Sequence, residues 1–233
     1  MSDARALVFD LDDTLYPYRQ FLSSGFRAVA SAVEREHGVS SALALRTLWH
    51  ARTGNSRGRE VQHLCGVLDL PAAIAPALVA LIRDHVPTLR LPDRSRRMLQ
   101  ALRPGWRLGI LTNGTPEVQA RKVAALGIAP FVDTVVFARA CGDGRGKPAS
   151  DGFQRVLEHL HTPAGSSVFV GDDAVADIEG AAGVGMRTIH LVRGRRTADA
   201  GLSPACCDAT VTTLLRVPEV AGRLLVGGGT HVV

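Results

Sequence analysis

The sequence predicts an α/β fold: a parallel sheet with helices on both faces, interrupted by one all-helical insertion. Three observations predict it. Short apolar runs recur at residues 6–9, 108–111, 134–137, 168–170 and 188–191, and such runs read as strands buried on both sides. Helical patterns lie between most of them, at 93–102, 116–126, 151–160 and about 177–182, and strand–helix alternation implies parallel pairing. Between Tyr16 and Pro87 the alternation stops. That interval holds only helical patterns, at 21–36, 42–51, 60–68 and 72–85, and reads as a second small domain.

Taken in order, the first strand runs directly into Asp10-Leu11-Asp12-Asp13-Thr14. Uncompensated buried carboxylates are costly, so three acids in this place call for a cation. The carboxyl ends of strands are where open α/β sheets hold ligands. The helical insertion follows at once and reads as a cover for that loop. Its helices are separated by His37-Gly38-Val39-Ser40, by residues 53–58 and by Asp69-Leu70-Pro71. Pro92-Asp93 and Thr115-Pro116 are helix starts with a capping side chain in or beside the first turn. A weaker final strand falls at 209–211, and the glycines from Gly227 onward read as a flexible tail. The expected division is therefore a catalytic core of 1–16 and 88–226, a helical unit of 17–87, and a tail of 227–233.

Composition sets the bounds. The chain has 233 residues, 46% hydrophobic and 21% charged, with 27 basic and 22 acidic side chains for a net charge of +5. Those are globular values. The modest basic excess suits solubility or anionic small molecules; arginines scattered without aromatics do not describe a nucleic-acid surface. The four cysteines, Cys65, Cys141, Cys206 and Cys207, have no CxxC spacing, so neither a zinc site nor a disulfide framework is indicated. No basic segment followed by a long apolar stretch opens the chain. The most apolar window, 70–82, contains Pro71 and Pro76 and falls short of a membrane span. A cytoplasmic protein with reduced thiols is expected. No residue pattern specifies an oligomeric state.

Three further polar clusters also follow strands. Thr112-Asn113-Gly114 places a hydroxyl and a turn at a helix N-terminus, suited to an anion. Lys147 puts an ammonium on a glycine-rich loop, and Gly171-Asp172-Asp173 with Asp177 supplies a second carboxylate group. Carboxylates, a hydroxyl and a lysine at one sheet edge make a magnesium-plus-phosphate site, because Mg²⁺ takes oxygen ligands and is typically bound by one or two carboxylates with substrate phosphate. Two decoys fail. Residues 142–147 imitate a P-loop, but Cys141 stands where the first glycine belongs and Pro148 replaces the Ser/Thr. Gly180, Gly183 and Gly185 do not follow a strand in a GxGxxG pattern.

At these residues the chain resembles the haloacid-dehalogenase-like (HAD) hydrolase superfamily, over essentially its whole length. Asp10-Leu11-Asp12-Asp13-Thr14 matches the first motif, Thr112 the second, Lys147 the third, and Gly171-Asp172-Asp173 through Asp177 the fourth. The resemblance implies a Rossmann-like core and a C1-type cap at 17–87. It implies Asp10 as a nucleophile forming an aspartyl-phosphate and Asp12 as general acid and base. It further implies Mg²⁺ held by the Asp10 side chain, the Asp12 carbonyl and Asp172, with Asp173 and Asp177 in or near the surrounding shell. Thr112, Asn113 and Lys147 would bind the phosphoryl group. The family's dehalogenases lack the second acid, so Asp12 argues for phosphate chemistry.

The run from Phe9 to Pro17 is similar to pyrimidine 5′-nucleotidase-like members. The expected activity is Mg²⁺-dependent hydrolysis of a small phosphorylated metabolite, a nucleoside monophosphate or sugar phosphate. The alternative is a phosphomutase acting on a hexose phosphate, although those members usually carry Gly-Val where this chain has Asp13-Thr14. No nucleic acid or membrane partner is expected. Candidates for reading the leaving group are Tyr16, Tyr18, Arg19, Arg57 and Arg59; arginine suits bidentate contacts with anions. His37, His50 and His63 read as surface or packing residues, and Arg193-Gly194-Arg195-Arg196 as a solvated loop.

Overall fold

The computed structural model describes residues 4–192 and 204–226. The Arg193–Arg196 run and the expected flexible tail lie outside them. The chain forms two compact units, one of residues up to Pro17 and from Arg90 onward, the other Tyr18–Leu89.

The chain lays down β1 (Ala6–Phe9), then passes through α1 (Arg19–His37), α2 (Ser41–Thr53), α3 (Glu60–Val67) and α4 (Ala75–Asp84). It continues with α5 (Asp93–Leu102), β2 (Arg107–Thr112), α6 (Pro116–Leu126), β3 (Thr134–Phe137) and α7 (Ser150–Leu160). The last elements are β4 (Ser167–Gly171), α8 (Gly180–Gly183), β5 (Arg187–Leu191), β6 (Ala209–Val211) and α9 (Val217–Val226).

The strands form a six-stranded sheet in the order β3-β2-β1-β4-β5-β6, every pairing parallel. The connections run outward from β1 on one side, through β2 to β3, and then cross to β4 on the other. That reversal makes the carboxyl ends of β1 and β4 a topological switch point, the place where such sheets hold ligands. Phe9 pairs with Ile110 on one side and Val170 on the other, so the residues just beyond all three strands share one edge. All four residues of β1 are buried, as the continuous apolar run requires. Ala6 and Val8 pack with Leu111, Val136 and Phe169 and with Phe153, Val156 and Leu160 of α7; Leu7 and Phe9 are equally buried.

The helical unit has its own core. Leu22, Phe26, Val29, Ala30 and Val33 recur at helical spacing along α1 and pack with Leu48, Leu64 and Leu78. Phe26 meets Trp49 edge-on at 5.1 Å. Gly38 closes α1 in the left-handed conformation, its N–H donating to the Glu34 carbonyl.

The structure departs from expectation at four places. The pattern at 72–85 is two pieces, a 3₁₀ turn over Ala72–Ile74 and then α4; Pro76 lacks an N–H and starts a helix rather than continuing one. The expected helix at about 177–182 is a π turn over Ala174–Glu179 followed by the short α8. Helices do begin at Asp93 and Pro116, but neither has a side-chain capping bond: the Asp93 carboxylate pairs with Arg90 and Arg96 at 3.2 and 2.9 Å instead. Helix α9 was not expected.

Candidate active site

The site grows from the turn after β1. The Asp10 N–H still bonds to the Val170 carbonyl, at 2.9 Å, extending the sheet by one residue. The chain then turns sharply. Asp13 takes a left-handed φ of 55°, a conformation Asp tolerates better than most residues, and the Leu15 N–H returns to the Leu11 carbonyl at 3.0 Å. Asp10 ends up buried, Asp12 half-buried and Asp13 exposed. The buried Thr14 hydroxyl donates toward Asp172 Oδ1 at 3.3 Å, tying the β1 loop to the β4 loop.

Lys147 is the hub. Its ammonium donates to Asp10 Oδ1 at 2.7 Å, to Asp177 Oδ1 at 2.6 Å and to the Leu111 carbonyl at 3.1 Å, matching its three N–H donors. Asn113 holds the lysine's backbone from both sides: its Oδ1 accepts from the Lys147 N–H at 2.7 Å, and its Nδ2 donates to the Lys147 carbonyl at 3.0 Å. Both ends of the Asn113 amide thus fix the lysine loop. Burial pulls the Lys147 pKa down, but Asp10 and Asp177 outweigh it and hold the ammonium well above its usual range. Burial pushes the Asp10 carboxyl upward, opposed by Lys147 and reinforced by Asp177 and Asp12.

Asp10, Asp172 and Asp177 bring carboxylate oxygens within 4.8 Å of one another. Burial, then the neighbouring Asp177 and Asp13, raises Asp172 to about 6. Three acids against one buried ammonium leave an excess of negative charge. The donors are all hard oxygens, so the set fits a small divalent cation such as Mg²⁺. Asp177 reaches this cluster because of the π turn: the N–H groups of Asp177 and Ile178 both bond the Asp173 carbonyl, at 3.1 and 3.2 Å, and the widened turn aims Asp177 back. Its Oδ2 accepts from the Asp173 N–H at 3.1 Å. Residue 171 is glycine for the same reason, since a Cβ there would collide with the Asp177 carboxylate. The Asp173 side chain, in contrast, is exposed and accepts from the N–H groups of Val175 and Ala176, at 3.0 and 2.8 Å, as a helix cap.

Asp12 has surroundings that the sequence did not reveal. Its Oδ1 accepts from the Tyr16 hydroxyl at 2.5 Å. Its Oδ2 accepts from Lys122 Nζ at 2.7 Å and Gln119 Nε2 at 3.1 Å. Gln119 and Lys122 lie one turn apart on α6 and are both buried; the same Gln119 nitrogen donates to the Thr112 hydroxyl at 2.5 Å. The signal for them was two long polar side chains at i and i+3 beside the buried Val118.

Tyr16 is fully buried, and its hydroxyl holds Asp12. The other specificity candidates belong to the helical unit. Tyr18 stacks on Phe21 at 5.7 Å, and the Arg19 guanidinium lies 4.7 Å from the Trp49 ring centre. Arg57 and Arg59 are exposed on a turn organised by Glu60, which accepts from the Gly58 N–H at 2.9 Å and pairs with Arg52 at 3.1 Å.

A parallel sheet with a carboxylate cluster at its switch point marks a ligand-binding edge suited to a cation and an anionic substrate. The haloacid dehalogenase-like hydrolase family matches residues 4–185, and the chain belongs to it. Glyceraldehyde 3-phosphate phosphatase of Methanocaldococcus jannaschii is 29% identical over 199 residues, 82% of this chain and 86% of that protein. The 5-amino-6-(5-phospho-D-ribitylamino)uracil phosphatase YigB of Escherichia coli is 29% identical over 203 residues, 80% and 82% of the two chains. In fold, the chain is similar to the HAD-hydrolase YfnB of Bacillus subtilis, solved with magnesium. That match has a TM-score of 0.64 at 18% identity and covers 94% of this chain and 99% of the other. No helix among the described residues is long and apolar enough to cross a membrane.

Proposed function

We propose that this chain is a Mg²⁺-dependent phosphomonoesterase that hydrolyses a small phosphorylated metabolite, a nucleoside monophosphate or sugar phosphate, through an aspartyl-phosphate on Asp10. The observation that carries this reading is the pair of carboxylates after β1. Asp10 is buried against Lys147, while Asp12 is half-buried and held by three donors. A nucleophile must be fixed in place, and a proton carrier must reach both leaving group and water.

Asp10 attacks phosphorus as the bond to the leaving oxygen breaks, and Asp12 gives that oxygen its proton. Asp12 then takes a proton from water. The water oxygen attacks the phosphoryl group, releasing inorganic phosphate and restoring Asp10. Thr112 and Lys147 complement the phosphoryl charge. Asp10, Asp172 and the Asp12 carbonyl would hold Mg²⁺, with Asp173 and Asp177 around them, and the bound cation would supply charge neutralisation to the phosphate oxygens. The names of the two relatives support small phosphate monoesters, and Asp12 favours phosphate chemistry over halide displacement, where no proton is needed.

A panel of phosphorylated metabolites assayed for phosphate release with Mg²⁺ and with EDTA tests this reading. Release that requires Mg²⁺ is expected. Undiminished turnover in EDTA would sink the metal assignment, and an isomerised sugar phosphate in place of free phosphate would mark a mutase.

A further inference from the structure

The chain contains 25 arginines and only two lysines, Lys122 and Lys147. Both lysines are buried, and each pairs with one of the aspartates of the β1 loop: Lys147 with Asp10 and Lys122 with Asp12, both at 2.7 Å. A chain that uses arginine for nearly every cation keeps lysine where a compact ammonium fits and a planar guanidinium does not. Lys147 belongs to the expected machinery; Lys122 does not.

We propose that Lys122 and Gln119 are positioning residues that hold the Asp12 carboxylate in the orientation proton transfer requires, and that Gln119 also aims the Thr112 hydroxyl. The inference rests on the proton-carrying role read for Asp12. The geometry supports it in three ways. First, Lys122 and Gln119 both donate to Oδ2 while Tyr16 donates to Oδ1; fixing both oxygens removes the rotation a free carboxylate would have. Second, the Gln119 nitrogen donates into the Thr112 oxygen. A hydroxyl has one proton to give, so this bond leaves that proton directed away from Gln119; its acceptor in the structure, the Asn113 carbonyl at a long 3.5 Å, is one that a phosphoryl oxygen can replace. Third, Gly114 has a φ of 120°, and a Cβ there would come within 3.2 Å of the Gln119 side chain. The turn after Thr112 is thus shaped around the glutamine. One α6 face therefore links the proton carrier to the phosphate-gripping hydroxyl.

The test compares Lys122→Met and Gln119→Leu with Asp12→Asn on two substrates, glycerol phosphate and 4-nitrophenyl phosphate, in Mg²⁺. Gln119→Leu keeps the Lys122–Asp12 ion pair, so it reports even if Lys122→Met folds poorly. Misplacing a reacting group by about 1 Å costs roughly 10²-fold. A loss in kcat of that order is expected for Lys122→Met on glycerol phosphate, with KM little changed. The loss should shrink on 4-nitrophenyl phosphate, whose leaving group needs little protonation. Because the residues act as a unit, combining Lys122→Met with Asp12→Asn should be no worse than Asp12→Asn alone. A loss independent of leaving group, or a double variant whose losses multiply, would overturn the positioning role while leaving Asp12 intact. If Asp12→Asn itself shows no leaving-group dependence, the role of Asp12 falls and the clamp falls with it.

Discussion

The two units treat charge in opposite ways. In the sheet unit the decisive ionic side chains are sealed: Lys147 and Asp177 are each 2% exposed and Lys122 is 4% exposed. In the helical unit the buried set is dominated by apolar residues, Phe26, Val29, Leu48 and Leu64 among them, and Arg57 and Arg59 stand in solvent. Burying charge is costly unless each charge is paired and its hydrogen bonds are made, so the sheet unit does it only where the neighbours are fixed. A solvated arginine costs the fold almost nothing. Chemistry is thereby locked to few positions, whereas recognition can sit on residues that are free to change.

The largest effect should come from the sealed side. Asp10→Asn keeps the shape and removes the nucleophile, so turnover on every substrate should fall by at least roughly 10⁴-fold, with no phosphoenzyme trapped by acid quench. Residual phosphoenzyme would move the nucleophile elsewhere.

A middle-sized effect concerns the cation and pH. Asp172 is raised from 3.8 to about 6, so the metal-free fold binds a proton more tightly than the unfolded chain. Its contribution to stability is full below about pH 3.8 and is lost as pH rises through 6; Asp10 adds the same sign. Mg²⁺ needs the ionised carboxylates and should recover this loss. At saturating Mg²⁺ the Tm should rise by about 5–10 °C at pH 7.5 and by clearly less at pH 5. Equal shifts at both pH values would detach the cation from these acids.

The smallest effect belongs to the solvated side. Arg57→Ala or Arg59→Ala should raise KM for the best natural substrate by about tenfold, one charge-assisted hydrogen bond's worth, and leave 4-nitrophenyl phosphate unchanged. Identical kinetics for both variants on the natural substrate would return the turn to plain surface.

The same contrast explains what was legible in the sequence. Asp10, Lys147 and Asp172 follow strands or lie on a glycine-rich loop, where an acid or ammonium has no packing role, so their positions stood out. Lys122 and Gln119 did not: both are ordinary helix formers, and nothing in a helical pattern says that a lysine points inward. Nothing about an amide beside a threonine at a helix start shows that the Asn113 side chain grips the Lys147 backbone. The contact of Tyr16 with Asp12 depends on the turn at Asp13, which no local pattern shows. The π turn that carries Asp177 answers a tertiary demand with no local sequence pattern. Pro76 is the local signal that separates the 3₁₀ turn at 72–74 from α4.

The pairing of both lysines with aspartates bears on covalent labelling. Acylating reagents attack an exposed, unprotonated amine, and the only two ε-amines of the chain are buried and ion-paired. The folded protein therefore shows such a reagent no accessible lysine. Acylation at Lys122 or Lys147 would measure how often each half of the site opens, a clock already wired into the native sequence.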